Sequence, residues 1–292
     1  MEEATTDDLA ARVRGTLLDT SEPLWFPTIT ADLADAAWSK LGRDFRITKA
    51  SYGTARVLLR DPWENRQVVV SFGVPVGADC DGIPVELLPE SLARQCVGPD
   101  VRFFGAEEIL GNGVFGRLEE ALEIMGGVPT VLPTVCSLVR ALHLIDSADD
   151  EVDISFSEPG LPFSAFISVP GSSAVAGAVR VAEALLHEAM HLQLTLVEAI
   201  LPLVTQTERT YFSPWRNEYR TAQGILHALY VFRVIDDFLG AACFEGPALA
   251  PSRQHAEVRR AMIAGQVGEI QDFRGCADLT ANGATFVARL LG

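Results

Sequence analysis

Leu185-Leu186-His187-Glu188-Ala189-Met190-His191-Leu192 is the stretch on which the reading of this chain turns. Two histidines four residues apart lie on one helical face, a turn apart, so both imidazoles can reach one metal ion with a glutamate beside them. The flanking sequence predicts a helix from about 176 to 200, closed by Pro202. Val181, Ala182, Ala184, Leu185, Leu186, Ala189, Met190, Leu192, Leu194, Leu196 and Val197 cover most of its circumference, which predicts burial. Its polar residues do not scatter: at roughly 100° per residue, Arg180, Glu183, His187, His191, Thr195 and Glu198 fall within about a 120° arc. A polar stripe on a buried helix has to be satisfied. A metal would do so, with Glu183 and Glu198 orienting the distal ring nitrogens. Salt bridges from these glutamates to Arg180 are the plainer alternative.

A metal centre needs a third ligand. The best candidate is His227 in Gly224-Ile225-Leu226-His227, near the start of a helix expected over about 222–243, with Gly224 permitting close approach. Asp236 and Asp237 are weaker candidates, and His143 and His255 read as structural or surface residues. Upstream, Val152–Phe156 alternates apolar and polar residues, and Phe163–Val169 follows after the Glu158-Pro159-Gly160 turn, which predicts a β-hairpin ahead of the metal helix. Pro133 opens a further expected helix, with an apolar stripe through Val135, Leu138, Val139 and Leu142. Tyr211–Arg216 reads as a loop between the two metal-bearing helices. The first 48 residues look helical, Gln67–Phe72 reads as a strand running into a turn-rich section, and residues 105–125 read as helix with a break around Gly111–Gly113.

Composition narrows the function classes. The 292 residues include 39 acidic and 23 basic side chains, a net charge of −16, which disfavours a nucleic-acid binder or a partner of anionic membranes. No apolar run reaches the roughly 18 residues of a membrane span, and the acidic N-terminal stretch lacks a signal pattern, so a cytoplasmic location is expected. The five cysteines are scattered without a CxxC pair, so neither a disulfide framework nor a thiolate zinc site is expected.

Two chemistries suit such a centre. In zinc hydrolysis, Glu188 would act as general base on metal-bound water. A longer zinc-protease pattern would need glycine at 194 and histidine at 197, where Leu194 and Val197 stand. In iron-dependent oxidation, three ligands on one face leave positions for a 2-oxo acid and dioxygen. An arginine would then hold the remote carboxylate of the co-substrate. Arg209, Arg216 and Arg220 cluster in the segment between the two helices, with Glu208 and Glu218 as competing partners.

Several motifs taken in order narrow the choice. Asp153-Ile154-Ser155-Phe156-Ser157, Leu161-Pro162-Phe163-Ser164, the HExxH helix, Ser213-Pro214-Trp215-Arg216 and Gly224-Ile225-Leu226-His227 together resemble one family. It comprises the HExxH-motif proteins encoded with ribosomally synthesised peptide natural products, regarded as 2-oxoglutarate-dependent peptide β-hydroxylases. The resemblance covers about residues 135–245. It implies Fe(II), 2-oxoglutarate and O2 as reactants and a peptide substrate hydroxylated at a β-carbon. His187, His191 and His227 would be the iron ligands. Arg216 would be the first choice for the co-substrate carboxylate, with Arg220 in reserve and Ser213 in the same motif. Glu188 would be a hydrogen-bonding neighbour within the site. Asn217-Glu218-Tyr219 follows Arg216 where an aspartate-arginine-proline type of continuation is expected, so the choice between Arg216 and Arg220 stays open.

The expected fold is α+β and mainly helical, with a small antiparallel sheet preceding the buried HExxH helix in a zincin-like core. Residues 131–292 would form the metal-binding catalytic domain. Residues 1–130 would form a helical and strand region, a candidate lid or peptide-recognition surface. The competing function is a zinc metallopeptidase or amidohydrolase with Glu188 as general base.

Overall fold

The computed structural model describes residues 6–40, 56–61, 66–71, 83, 85–88, 101–147, 149–158, 161–171, 173–205 and 207–292. The expected turn-rich section at 73–82 and Pro84 lies outside them. The fold is mainly helical with sheet, as the α+β reading requires. Among the described residues, no helix is long and apolar enough to cross a membrane. The chain forms two compact units, each assembled from separated segments: one takes residues 46–189 and 242–255, the other 1–45, 190–241 and 256–292.

The first of these units is built on a sheet. Its strands are β1 (Arg56–Asp61), β2 (Arg66–Ser71), β3 (Val85–Glu86), β4 (Arg102–Phe103), β5 (Ala141–Asp146), β6 (Ser155–Phe156) and β7 (Ser164–Ser168). They run in the order β2-β1-β3-β5-β7-β6, with β4 also paired to β5. The expected small antiparallel sheet is therefore corrected to a seven-stranded mixed one. β3 lies parallel to β1 and β5, and β7 parallel to β5, while β2, β4 and β6 pair antiparallel. The fully buried run Ala141–Ile145 explains the parallel centre, since a strand covered on both faces needs no polar alternation. The expected hairpin is present: Ser155 pairs with Ile167 and Phe156 with Phe166, and β6 forms a sheet edge.

Helices α3 (Ala106–Gly111), α4 (Val114–Gly126) and α5 (Val131–Leu138) precede the central strand. The break at Gly111–Gly113 falls where expected, with Gly113 in the left-handed region at φ 74°. The helix around Pro133 is shorter than its apolar stripe implied. It ends at Leu138, and Leu142 belongs to β5, because a continuous apolar run carries no helix-versus-strand signal of its own. Cys136 on α5 is disulfide-bonded, which departs from the expectation of no disulfide, and its partner lies outside the described residues. Cys243 and Cys276 are free thiols.

Helix α6 (Gly177–Glu198) carries the HExxH motif almost over its expected range; its residues up to Ala189 belong to the sheet unit and those from Met190 to the other. That second unit also contains α1 (Thr6–Leu18) and α2 (Pro27–Lys40), and the hairpin of β8 (Thr210–Ser213) and β9 (Glu218–Thr221). It continues with α7 (Ala222–Ala241), most of α8 (Ala250–Glu269), the 3-10 turn Gln271–Gly275 and α9 (Ala281–Leu291). The expected loop at 211–216 is thus a hairpin, with Tyr211 opposite Arg220 and Phe212 opposite Tyr219. Pro214 and Asn217, the latter at φ 52°, accommodate its turn.

The core of the helical unit centres on Tyr230, which is fully buried against Phe26 (stacked, centroids 5.9 Å apart) and Phe286 (5.7 Å). Its hydroxyl, a single donor, has the Leu24 carbonyl at 2.9 Å and the Gln193 side-chain oxygen within hydrogen-bond distance, and Gln193 in turn donates to the Trp25 carbonyl at 2.8 Å. Burial pushes the Tyr230 pKa well up, so the phenol stays a donor. On the buried side of α6, Gln193 is therefore tied to the N-terminal helical segment, a contact that satisfies buried polar groups without charge.

Candidate metal centre

Helix α6 is buried over most of its surface, and several groups of its polar arc have defined partners. In the sheet unit, Arg180 is 7% exposed and grips Asp153 bidentately, with Nε to Oδ2 at 3.0 Å and Nη2 to Oδ1 at 2.8 Å. Glu183 is bonded by His255, Nε2 to Oε1 at 2.6 Å, which gives the histidine expected to be a structural or surface residue a defined contact on α6. His143, on β5, is a core residue: its Nδ1 meets the Glu86 carbonyl at 3.1 Å and its ring packs on Phe166 at 4.6 Å. Burial drives the His143 pKa down to about 4, only partly offset by that hydrogen bond, so the ring is neutral.

Glu188 of the motif is 4% exposed and accepts a hydrogen bond from Ser157 at 2.7 Å. Ser157 follows the edge strand β6, so the hairpin fixes the carboxylate's orientation. His187 is half-buried, its Nε2 4.0 Å from the Glu188 carboxylate. Ser157 was legible only as part of a motif; no spacing rule ties it to Glu188 across 31 residues.

In the helical unit, His191 and His227 come together. Their Nδ1 atoms are 3.2 Å apart and the rings stack at 15° with centroids 5.5 Å apart. The far nitrogen of His227, Nε2, lies 2.9 Å from Glu198 Oε2, which also accepts from Gln223 at 2.9 Å. A carboxylate on Nε2 assigns the proton to that atom and leaves the Nδ1 lone pair facing His191. Glu198 and Glu183 are expected beside the distal nitrogens of the HExxH histidines; the rings they are seen to bond are His227 and His255. The other Glu198 oxygen, Oε1, is buried without a hydrogen-bond partner among the described residues.

This pair fits a metal on its spacing. Two nitrogen ligands each about 2.1 Å from one cation, at angles between octahedral and tetrahedral, lie roughly 3.0–3.4 Å apart. The 3.2 Å separation falls in that interval. His187 stands one turn before His191 on α6, as the i, i+4 spacing dictates. Among the described residues, as their side chains stand, no group of three or more His, Cys, Asp or Glu is gathered as a metal-binding set. The geometry thus supplies a two-imidazole pair with an oriented ring.

The residues expected to serve a co-substrate lie on the β8–β9 hairpin. Ser213 is fully buried and its hydroxyl has no hydrogen-bond partner among the described residues. Arg216 is exposed at the hairpin turn. Arg220 is exposed, stands 3.7 Å from Glu218, and lies over Gly224, where a Cβ would come within 3.3 Å of it. Arg209 is engaged elsewhere, with Asp278 at 3.3 Å. Trp215 stacks on Phe232 at 5.5 Å and anchors the turn to α7. The structure therefore leaves Arg216 the less committed of the two candidate arginines. Neither a scan against protein-family models nor a search of curated proteins finds a match to this chain.

Proposed function

We propose that this chain is an Fe(II)- and 2-oxoglutarate-dependent oxygenase that hydroxylates a side-chain β-carbon of a ribosomally made peptide. The observation that carries the metal part is the His191–His227 approach at 3.2 Å, with Glu198 holding the far nitrogen of His227. His187, on the same helical face, completes the proposed ligand set. The ordered motifs from Asp153 to His227, with their likeness to the peptide β-hydroxylases, support the oxidative part. When bound, iron with 2-oxoglutarate and O2 would supply one oxygen atom to the peptide and one to succinate, with release of CO2.

The chain's own residues supply binding and exclusion. The apolar circumference of α6 is packed into the protein, while the imidazoles on its polar arc stay partly exposed, open to a co-substrate. The unpartnered Ser213 hydroxyl can donate to a carboxylate, and Arg216 can reach one as a bidentate fork. Glu188, held by Ser157, lies beside His187 and would be a hydrogen-bonding neighbour within the site.

The test is mass spectrometry of a random peptide library incubated with protein, Fe(II) and 2-oxoglutarate in air. A gain of one oxygen matched by succinate formation is expected. Peptide cleavage without oxygen, in protein that retains zinc, refutes it. One observation favours that second reading, a zinc peptidase or amidohydrolase: Glu188 is a buried carboxylate of fixed orientation directly after His187. Glu188→Gln would abolish such cleavage.

A further inference from the structure

Away from the imidazole pair, the helical unit holds a second concavity. A cavity of about 450 Å³ opens between β8, the first turn of α7 and the segment from the end of α8 through the 3-10 turn. Ligand pockets commonly measure roughly 300–1,000 Å³. The floor is apolar: Ile225, Ile270 and Phe273 are all buried. One wall is Phe212, 41% exposed, whose ring meets that of Tyr219, 71% exposed, edge-on at 5.9 Å. Two large aromatic rings left in water beside an apolar hollow mark an interaction surface.

Charge selects the occupant. Glu269 and Asp272 line the same cavity, both are exposed, and neither has an ion-pair partner among the described residues. The support beneath is already satisfied and rigid. Tyr211 meets Phe273 edge-on at 5.8 Å and donates to Asp278 at 2.7 Å. Asp278, 1% exposed, also accepts from Thr207 at 2.7 Å and pairs with Arg209. The Tyr211 pKa is raised, first by its hydrogen bond to Cys276 and then by Asp278, so its phenol stays neutral. A preformed apolar hollow with two free carboxylates fits a hydrophobic side chain next to a cation.

We infer that this cavity docks a recognition segment of the peptide substrate: a bulky apolar residue flanked by lysine or arginine. The inference rests on the peptide reading above and concerns capture of the substrate, apart from the reacting atoms. The overall charge of −16 draws such a segment in, and the aromatic pair holds its apolar side chain.

The experiment is fluorescence anisotropy with metal-free full-length protein. The probe is a fluorescein-labelled Gly-Ser peptide carrying a central Lys-Phe-Lys, with Glu-Phe-Glu and Lys-Ser-Lys versions as controls. The Lys-Phe-Lys probe is expected to bind at least tenfold tighter than either control and to weaken with salt. Glu269→Lys with Asp272→Lys reverses the rim charge, and Ala277→Trp fills the hollow from an exposed position. Each is expected to cost at least tenfold in affinity; the charge reversal stands as the test should Ala277→Trp disturb folding. Equal binding of the controls, or unchanged binding by the folded variants, overturns the inference. So does protein self-association that Ala277→Trp abolishes, which would make the surface a dimer contact. The two readings fail separately. A probe that binds here, in a protein that oxidises no peptide, overturns the oxygenase and leaves the cavity. Peptide oxidation with unchanged KM in the charge-reversed variant overturns the cavity and leaves the oxygenase.

Discussion

Removing Glu198 tests the metal centre through a residue that is not itself proposed as a ligand. Its Oε2 lies 2.9 Å from His227 Nε2, and the two side chains are only 10% and 14% exposed. Glu198→Ala takes away the acceptor that fixes the His227 tautomer and the acceptor used by Gln223. The ring is then free to place its proton on Nδ1, the atom that faces His191 at 3.2 Å, and a protonated nitrogen cannot ligate. Loss of such an outer partner typically costs about 10–100-fold in metal affinity, or about 1.4–2.7 kcal/mol. The low exposure of both groups argues for the upper part of that range, because water cannot readily replace the carboxylate. The assay is anaerobic competition titration of Fe(II), with Co(II) as a spectroscopic surrogate, against a chelator of known affinity. Circular dichroism verifies that the variant is folded. Glu198→Gln, which keeps an acceptor oxygen but not the charge, is expected to fall between wild type and alanine. Equal metal affinity in all three proteins would refute the assignment of Glu198 as the carboxylate that orients a ligand.

Other expectations follow from the same structure. Burial holds the His143 pKa near 4 against an ordinary 6.5, so the unfolded chain binds the extra proton first as pH falls. Its contribution is complete above about pH 6.5 and is lost between there and about pH 4, at most about 3 kcal/mol; urea midpoints for His143→Gln should vary less with pH over that window than those of wild type. Gly283→Ala places a Cβ 2.8 Å from the Leu203 carbonyl carbon and closer still to its oxygen, so it should cost about 2–3 kcal/mol in urea unfolding. Gly265→Ala, on α8 with nothing near its Cβ position, should instead stabilise by about 0.5–1 kcal/mol. Asp153→Ala leaves the buried Arg180 guanidinium without its bidentate partner and should cost about 1–2 kcal/mol by chemical denaturation. That is less than for a fully buried pair, because the Asp153 carboxylate is 44% exposed and water already screens it.

The sequence by itself determined the elements with strong local signals. The α6 helix and its end before Pro202, the α7 helix, the hairpin ahead of the motif and the glycine break between α3 and α4 all follow from periodicity and turn chemistry. It also put His187 and His191 on one helical face, because i, i+4 spacing needs no tertiary information. Only the tertiary structure decided what those side chains meet. The His191–His227 contact spans 36 residues, the Glu198 bond to His227 spans 29 and the Ser157 bond to Glu188 spans 31. No local rule fixes the rotation of one helix against another, so the sequence offered both Glu183 and Glu198 as orienting carboxylates while packing selected Glu198 for His227 and gave Glu183 to His255. The same reason explains the sheet. Apolar runs such as Ala141–Ile145 announce burial, but parallel pairing between distant strands depends on which crossovers can close, and that is a property of the whole chain.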